Sequence, residues 1–265
     1  MRVVAALLLA AACAALPARA DAPATVSVLY AGSLVWPMSG EIKSDLAGQG
    51  IDLMGEPGGS IQLESMIASG QRTPDVFISV NRDLVTKLGD KVASATTFAT
   101  TELGMGWAGK SNYAYAFEAV GKGEMPLLVA LAQPGLRIGR TNPAKDPKGQ
   151  LTIDALTVLL GAPNEKRILG VDNNPAQIYP ESELVARIEG GELDVGFMYA
   201  SEAKSRYFEF VPFPGESSMS DQIQYTLAIM KDAKHPVQAQ AFADFILKGQ
   251  GRAILEKMGL KYVND

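Results

Sequence analysis

Apolar and polar positions fall in blocks along this chain, and the block lengths alternate between those of short strands and those of amphipathic helices. Residues 26–33, VSVLYAGS, are an apolar run closed by Gly32 and Ser33. This predicts a buried strand, a sharp turn and a helix opening at Leu34. A moderately helical stretch follows over 38–49. Residues 51–56 read as a strand running into Pro57-Gly58-Gly59-Ser60. The helix predicted over 61–69 turns Ile61, Met66 and Ile67 inward and ends at Gly70. A strand over 76–80 and a helix over 81–88 complete three strand–helix units, the pattern of an α/β fold with a mostly parallel sheet.

The stretch 95–109 differs, because it reads as one longer, partly alternating strand of the kind that carries a chain from one lobe to another. A new strand–helix unit begins at 137–140, with its helix over 152–160. Residues 182–189 are helical and stop at Gly190-Gly191. Residues 194–199 are a strand, and 201–206 begin another helix. The apolar run 222–230 is the expected return crossing, and 235–247 and 251–258 are closing amphipathic helices. The expected architecture is two α/β lobes, 24–104 with 222–265, and 105–221. Ligands of such sheets lie at the carboxyl ends of the strands, where helix N-termini collect.

The first twenty residues stand apart from this pattern. Arg2, the Ala- and Leu-rich run 3–16 and Ala18-Arg19-Ala20 make a cleavable export signal over residues 1–20. A lipid anchor at Cys13 would leave a very short apolar core. The chain has 265 residues, a formal charge of −5 and one cysteine. Removal of 1–20 takes away Arg2, Arg19 and Cys13, so the exported chain is two units more negative and has no disulfide to hold it. Its acidic balance argues against nucleic acid or an anionic membrane surface as partner. An anion, if bound, is held by local dipoles.

Two turns carry the candidate chemistry. Ser33 and Ser60 sit at matching places, each just after a strand and a glycine and at a helix opening. Backbone N–H groups and a hydroxyl converging there make an anion pocket without a cationic side chain. The plainer alternative is two helix caps, worth about 1 kcal/mol each. The polar turn 141–149 offers the N–H groups of Lys148 and Gly149. Its Asp146 is either a cap carboxylate, a ligand to a metal centre or an acceptor from a protonated ligand. Tyr179 to Glu183 is a helix start with acidic residues suited to the dipole. Tyr199, at a strand end, is either an amphipathic core residue or a hydroxyl aimed into the cleft. His235 is the only histidine, no nucleophile elbow or phosphate loop is present, and zinc is improbable.

AGSL at 31–34, GGS at 58–60, PDVFIS at 74–79, TNPAKDPKG at 141–149 and GELDVGFMYASEAK at 191–204, in that order, resemble the periplasmic molybdate/tungstate-binding proteins of ABC importers. The resemblance covers most of the exported chain. It implies a two-lobed type II periplasmic-binding fold that closes on a tetrahedral oxyanion held by hydroxyls and N–H groups. By position it implies ligand roles for Ser33, Ser60, the backbone of Lys148, the backbone near Glu181, and Tyr199. An archaeal branch adds two carboxylates to the metal. One matches Asp146 and the other falls on Met198, which cannot serve, so a tetrahedral anion is expected, with Asp146 an additional ligand candidate. The same likeness implies a periplasmic monomer with no cofactor beyond the transported ion, a membrane permease as partner, and no catalysis. The alternatives are a binder of sulfate or thiosulfate, a secreted hydrolase using Ser33 or Ser60 with His235 as base, and a sensor that binds a protein partner.

Overall fold

A computed structural model describes residues 24–263, so the expected export signal lies outside the described residues. Among the described residues, ten strands form two sheets. They are β1 (Ala24–Ala31), β2 (Ile51–Gly58), β3 (Val76–Ser79), β4 (Val92–Thr100), β5 (Leu103–Trp107), β6 (Ile138–Gly139), β7 (Val195–Tyr199), β8 (Glu209–Pro212), β9 (Tyr225–Met230) and β10 (Lys261–Tyr262). The larger sheet has the order β10-β4-β9-β3-β1-β2 and the smaller β6-β7-β5-β8.

Strand alternation explains why each sheet is buried on both faces. On β1, Val26, Val28 and Tyr30 face the central core while Leu29 faces a second cluster with Leu63, Ile67 and Phe77. The side-chain period of two does the same on β7. There Val195, Phe197 and Tyr199 join the central core, and Met198 points the other way, into Leu184, Ile188 and Leu193. In the helix Ser60–Ala68 the buried positions are Ser60, Leu63 and Ile67. Ile61 and Met66, expected inward, are only half-buried.

Three expectations are corrected. The sheets are mixed and not mostly parallel: β1 pairs parallel with β2 and β3, and β6 with β7, but every other pairing is antiparallel. The antiparallel pairs come from the strands that arrive by crossing between sheets. Next, 95–109 is not one strand. β4 pairs with β9 in the larger sheet and β5 with β7 and β8 in the smaller, so the chain crosses at Thr101 and Glu102. The division expected at 104/105 therefore falls inside β5. The return strand begins at Tyr225, with Thr100 Oγ1 donating to the carbonyl of Ser220 at 2.6 Å and tying the two crossings together. Last, the helix expected over 152–160 is Pro147–Leu160. Proline at its first position and Asp146 as cap start it five residues earlier.

Candidate anion-binding site

The parallel register sets Ala31 opposite Gly58, so the two Gly-Ser turns emerge side by side at the carboxyl ends of β1 and β2. Neither serine caps its helix. Ser33 lies inside the 3-10 turn Gly32–Leu34, and Ser60 is the first residue of Ser60–Ala68 after the cap Gly59, with no side-chain cap bond at either. Instead, each hydroxyl accepts. The Tyr225 hydroxyl donates to Ser33 Oγ at 2.8 Å, and the Val80 N–H donates to Ser60 Oγ at 3.2 Å. A hydroxyl that is already accepting keeps its own hydrogen for another partner.

The smaller sheet supplies the facing groups. Asp146 caps Pro147–Leu160, its Oδ1 accepting the Lys148 N–H at 2.9 Å. The Lys148 amide expected to face an anion is thus already used. What Lys148 brings to the site is its side chain, which is 1% exposed. Its ammonium donates to Glu181 and, at 2.7 and 2.9 Å, to both oxygens of Glu202. Glu202 also accepts the Tyr199 N–H at 2.7 Å, closing the first turn of Ala200–Ser205. Glu181 opens Glu181–Gly190, and a first-turn N–H has no partner within its own helix. Lys148 Nζ stands 5.3 Å from the centre of the Tyr199 ring. The Tyr199 hydroxyl and Glu181 Oε1 are buried without a hydrogen-bond partner.

Ser33, Ser60, Asp146, Lys148, Tyr199 and Glu202 line one small, closely packed cavity, with Gly32 and Gly58 at its wall. Glu181 lies at the adjoining outer cleft, with Pro57, Gln62, Thr141, Asn142 and Tyr179. The residues singled out in the sequence therefore come together. Two glycines permit the approach: a Cβ at Gly59 would stand 2.2 Å from the Lys145 carbonyl oxygen, and one at Gly32 would stand 3.0 Å from the Glu181 Cβ.

Burial sets the electrostatics. It pushes the Asp146 carboxyl up to about 6, with Lys148 opposing and Glu181 adding to the shift. Burial, then the neighbouring Glu181, raises Glu202 well above the usual carboxylate range against the pull of Lys148. Burial alone would lower Lys148, but Glu181, Glu202 and Asp146 hold it above its ordinary value. The Tyr199 hydroxyl is raised chiefly by desolvation. The resemblance implies an oxyanion held by hydroxyls and N–H groups, and the cavity also includes the carboxylates of Asp146 and Glu202.

Met198 does not adjoin the cavity. It is fully buried on the opposite face of β7, close against Gly106 and Gly196. His235 is also elsewhere. Its N–H and Nδ1 meet Asp75 at 2.9 and 3.0 Å, and the N–H and Oγ of Ser27 meet the same carboxylate at 2.8 and 3.0 Å. Asp75 precedes β3, at the end of the sheet away from Ser33 and Ser60, so no imidazole stands beside either serine. Sequence reasoning missed Glu202 and Tyr225. The signal for Glu202 was its place three residues after Tyr199, the spacing of a capping pair. Nothing local marked Tyr225.

Two mixed sheets joined by two crossings, with a polar cavity at the strand ends, define a binding protein that holds a small solute between its two halves. A solved periplasmic molybdate-binding protein from Azotobacter vinelandii shares this fold, with a TM-score of 0.70 at 20% identity over 91% of this chain and 99% of that one. The chain belongs to the bacterial extracellular solute-binding protein family, whose model matches residues 26–261. A relative from Haloferax volcanii, provisionally named an ABC transporter molybdenum-binding protein, is 29% identical over 209 residues. That match takes in 77% of this chain and 64% of the relative, so the chain spans just under two thirds of its length. The molybdate/tungstate-binding protein WtpA of Pyrococcus abyssi is 22% identical over 88% of this chain and 83% of its own.

Proposed function

We propose that this chain is the periplasmic solute-binding component of an ABC importer, exported by residues 1–20, and that it captures molybdate or tungstate in the cavity between its two lobes. One observation carries the reading. Ser33 and Ser60 hydroxyls that already accept, and a Tyr199 hydroxyl with no partner, line the same cavity. A tetrahedral dianion has only acceptors to offer and needs several preorganised donors when buried. These three hydroxyls and the free N–H groups at the start of Glu181–Gly190 supply them, and the Lys148 ammonium, whose hydrogens go to Glu181 and Glu202, adds its positive charge. Glu181 acts through its backbone, and Lys148 through its side chain. Asp146 contributes as the cap that fixes the turn.

No bond in the ion is made or broken, so the protein is a carrier and not an enzyme. Closure of the lobes buries the ion and joins their outer surfaces into one face for a membrane permease. The protein acts as a monomer. Discrimination against sulfate rests on cavity size, since Mo–O and W–O bonds are longer than S–O bonds.

The test is calorimetric titration of the mature, phosphate-free protein with molybdate, tungstate and sulfate in turn. Tight one-to-one binding of the first two, with sulfate much weaker, is the expected result. Silence with both metal oxyanions, or a preference for sulfate, overturns the assignment.

A further inference from the structure

The charges around the cavity do not suit a dianion taken up alone. Asp146, Lys148, Glu181, Tyr199 and Glu202 all come from segments around the smaller sheet. Their arrangement is therefore set within one half of the molecule. One ammonium stands between two carboxylates that are themselves 8% and 1% exposed. Entry of a dianion adds two negative charges to a buried site that already holds more acidic groups than basic ones, and uncompensated buried charge is strongly unfavourable.

The hydrogen-bond inventory points the same way. Glu181 Oε1 is a buried acceptor without a donor. A fully deprotonated oxyanion has no hydrogen to give to any carboxylate here. A hydrogen held between a ligand oxygen and a carboxylate of the site removes one unit of negative charge.

Building on the oxyanion reading above, we propose that Glu202 is the specificity-determining residue of this cleft, and that the oxyanion is bound as a one-proton complex, with the hydrogen shared between Glu202 and an oxyanion oxygen. The proton comes from solvent and no other bond changes. The groups facing Glu202 are Lys148 and its cap Asp146, Glu181, and the hydroxyls of Tyr199 and Tyr225. Among them Lys148 opposes protonation of Glu202, and Glu181 favours it. Burial and Glu181 raise Glu202 in the ligand-free protein, so it takes up a proton more readily than an ordinary carboxyl when an anion enters. The ligand class that follows is a tetrahedral oxyanion that carries or accepts a hydrogen at its outer oxygens.

The experiment measures molybdate affinity from pH 6 to pH 9 by calorimetry, in two buffers with different heats of ionisation. Molybdate itself does not titrate over this range. For the wild-type protein, affinity should fall by about tenfold per pH unit towards the alkaline end, with net uptake approaching one proton. Glu202→Gln, which keeps an acceptor for the Tyr199 N–H, should flatten the profile and bind more tightly than wild type at the alkaline end. Tight wild-type binding with no proton uptake anywhere in the range overturns this inference and leaves the oxyanion assignment standing. A slope that survives Glu202→Gln and vanishes in Asp146→Asn overturns the choice of Glu202. Absence of molybdate heat at every pH, repeated with tungstate, overturns the oxyanion assignment and this inference with it. If Glu202→Gln does not fold, Asp146→Asn decides: a slope and proton count unchanged in that variant uphold Glu202, and their loss overturns it.

Discussion

The backbone N–H of Gln62 donates to the carbonyl of Lys145 at 3.1 Å. This bond joins the helix that opens with Ser60 to the polar turn that leads into Asp146, across the line where the two halves of the molecule meet. Gly59 makes it feasible, because its missing side chain leaves room for that same carbonyl. Its φ of −64° suits any residue, so a substitution there tests the approach of the two halves and not the backbone. Gly59→Ala is expected to hold them apart and weaken molybdate binding by at least about tenfold, on the order of 1.4 kcal/mol. Titration calorimetry reads the loss, and a melting temperature near wild type in the ligand-free protein separates it from misfolding.

Tyr199→Phe should move stability and binding in opposite directions. The hydroxyl is buried and unpartnered, so its removal relieves a desolvation cost and stabilises the ligand-free protein by about 1 kcal/mol. The same change deletes a donor to the anion, worth about 1.5–3 kcal/mol for a charged partner. Thermal melting with and without molybdate shows both effects. A variant that loses stability while keeping full affinity would place the hydroxyl outside the binding set.

Lys148→Met leaves Glu181 and Glu202 buried beside each other without their cation. Breaking a buried pair by removing one partner costs about 3–5 kcal/mol, and urea denaturation is the measurement. Adding Glu202→Gln to the same chain should recover part of that loss, because only one buried carboxylate then remains in contact. Ser33→Ala, by comparison, strands the Tyr225 hydroxyl that donates to it, and should cost both stability and affinity.

Asp146 gives a pH signature of definite sign. Its folded value, about 6, lies above the ordinary carboxylate range, so the native state holds the proton more tightly than the unfolded chain does. The contribution to stability is fully present below the unfolded value and is lost as pH rises through about 6. Asp146→Asn keeps an acceptor for the Lys148 N–H but cannot ionise. The melting temperature of this variant, relative to wild type, should therefore rise between about pH 4 and pH 7. A constant difference would mean that the carboxyl is not desolvated as described.

Much of this site is written locally. Ser33 and Ser60 were legible because a strand, a glycine and a helix opening recur at both, and parallel pairing then sets the two turns side by side. Met198, expected beside the site, lies instead on the opposite face of β7 from Tyr199, because neighbours on a strand face opposite ways. The Lys148 amide was misjudged because Asp146 followed by proline is itself the signature of a capped helix start, and a cap uses that amide. The fate of the Lys148 side chain had no local signal, because its partners lie 33 and 54 residues further along the chain. The break at Thr101 and Glu102 also left no mark, having neither glycine nor proline. Only the choice of partner strand divides β4 from β5. Strand direction in the outer sheet positions depends on the same long-range choice, so the mixed character of both sheets stayed hidden.

The bond from Thr100 to Ser220 pins the two crossings at one place. Two halves joined where the crossings are tied would open by swinging about that place, and displacement grows with distance from it. Groups beside it barely travel, while those at the rim sweep a wide arc. With the closure proposed above, the molecule would work as a pair of tweezers, in which a slight change of angle at the pin separates Gln62 from Lys145. Two fluorophores fixed on either rim would report the grip on a single ion as a change in length.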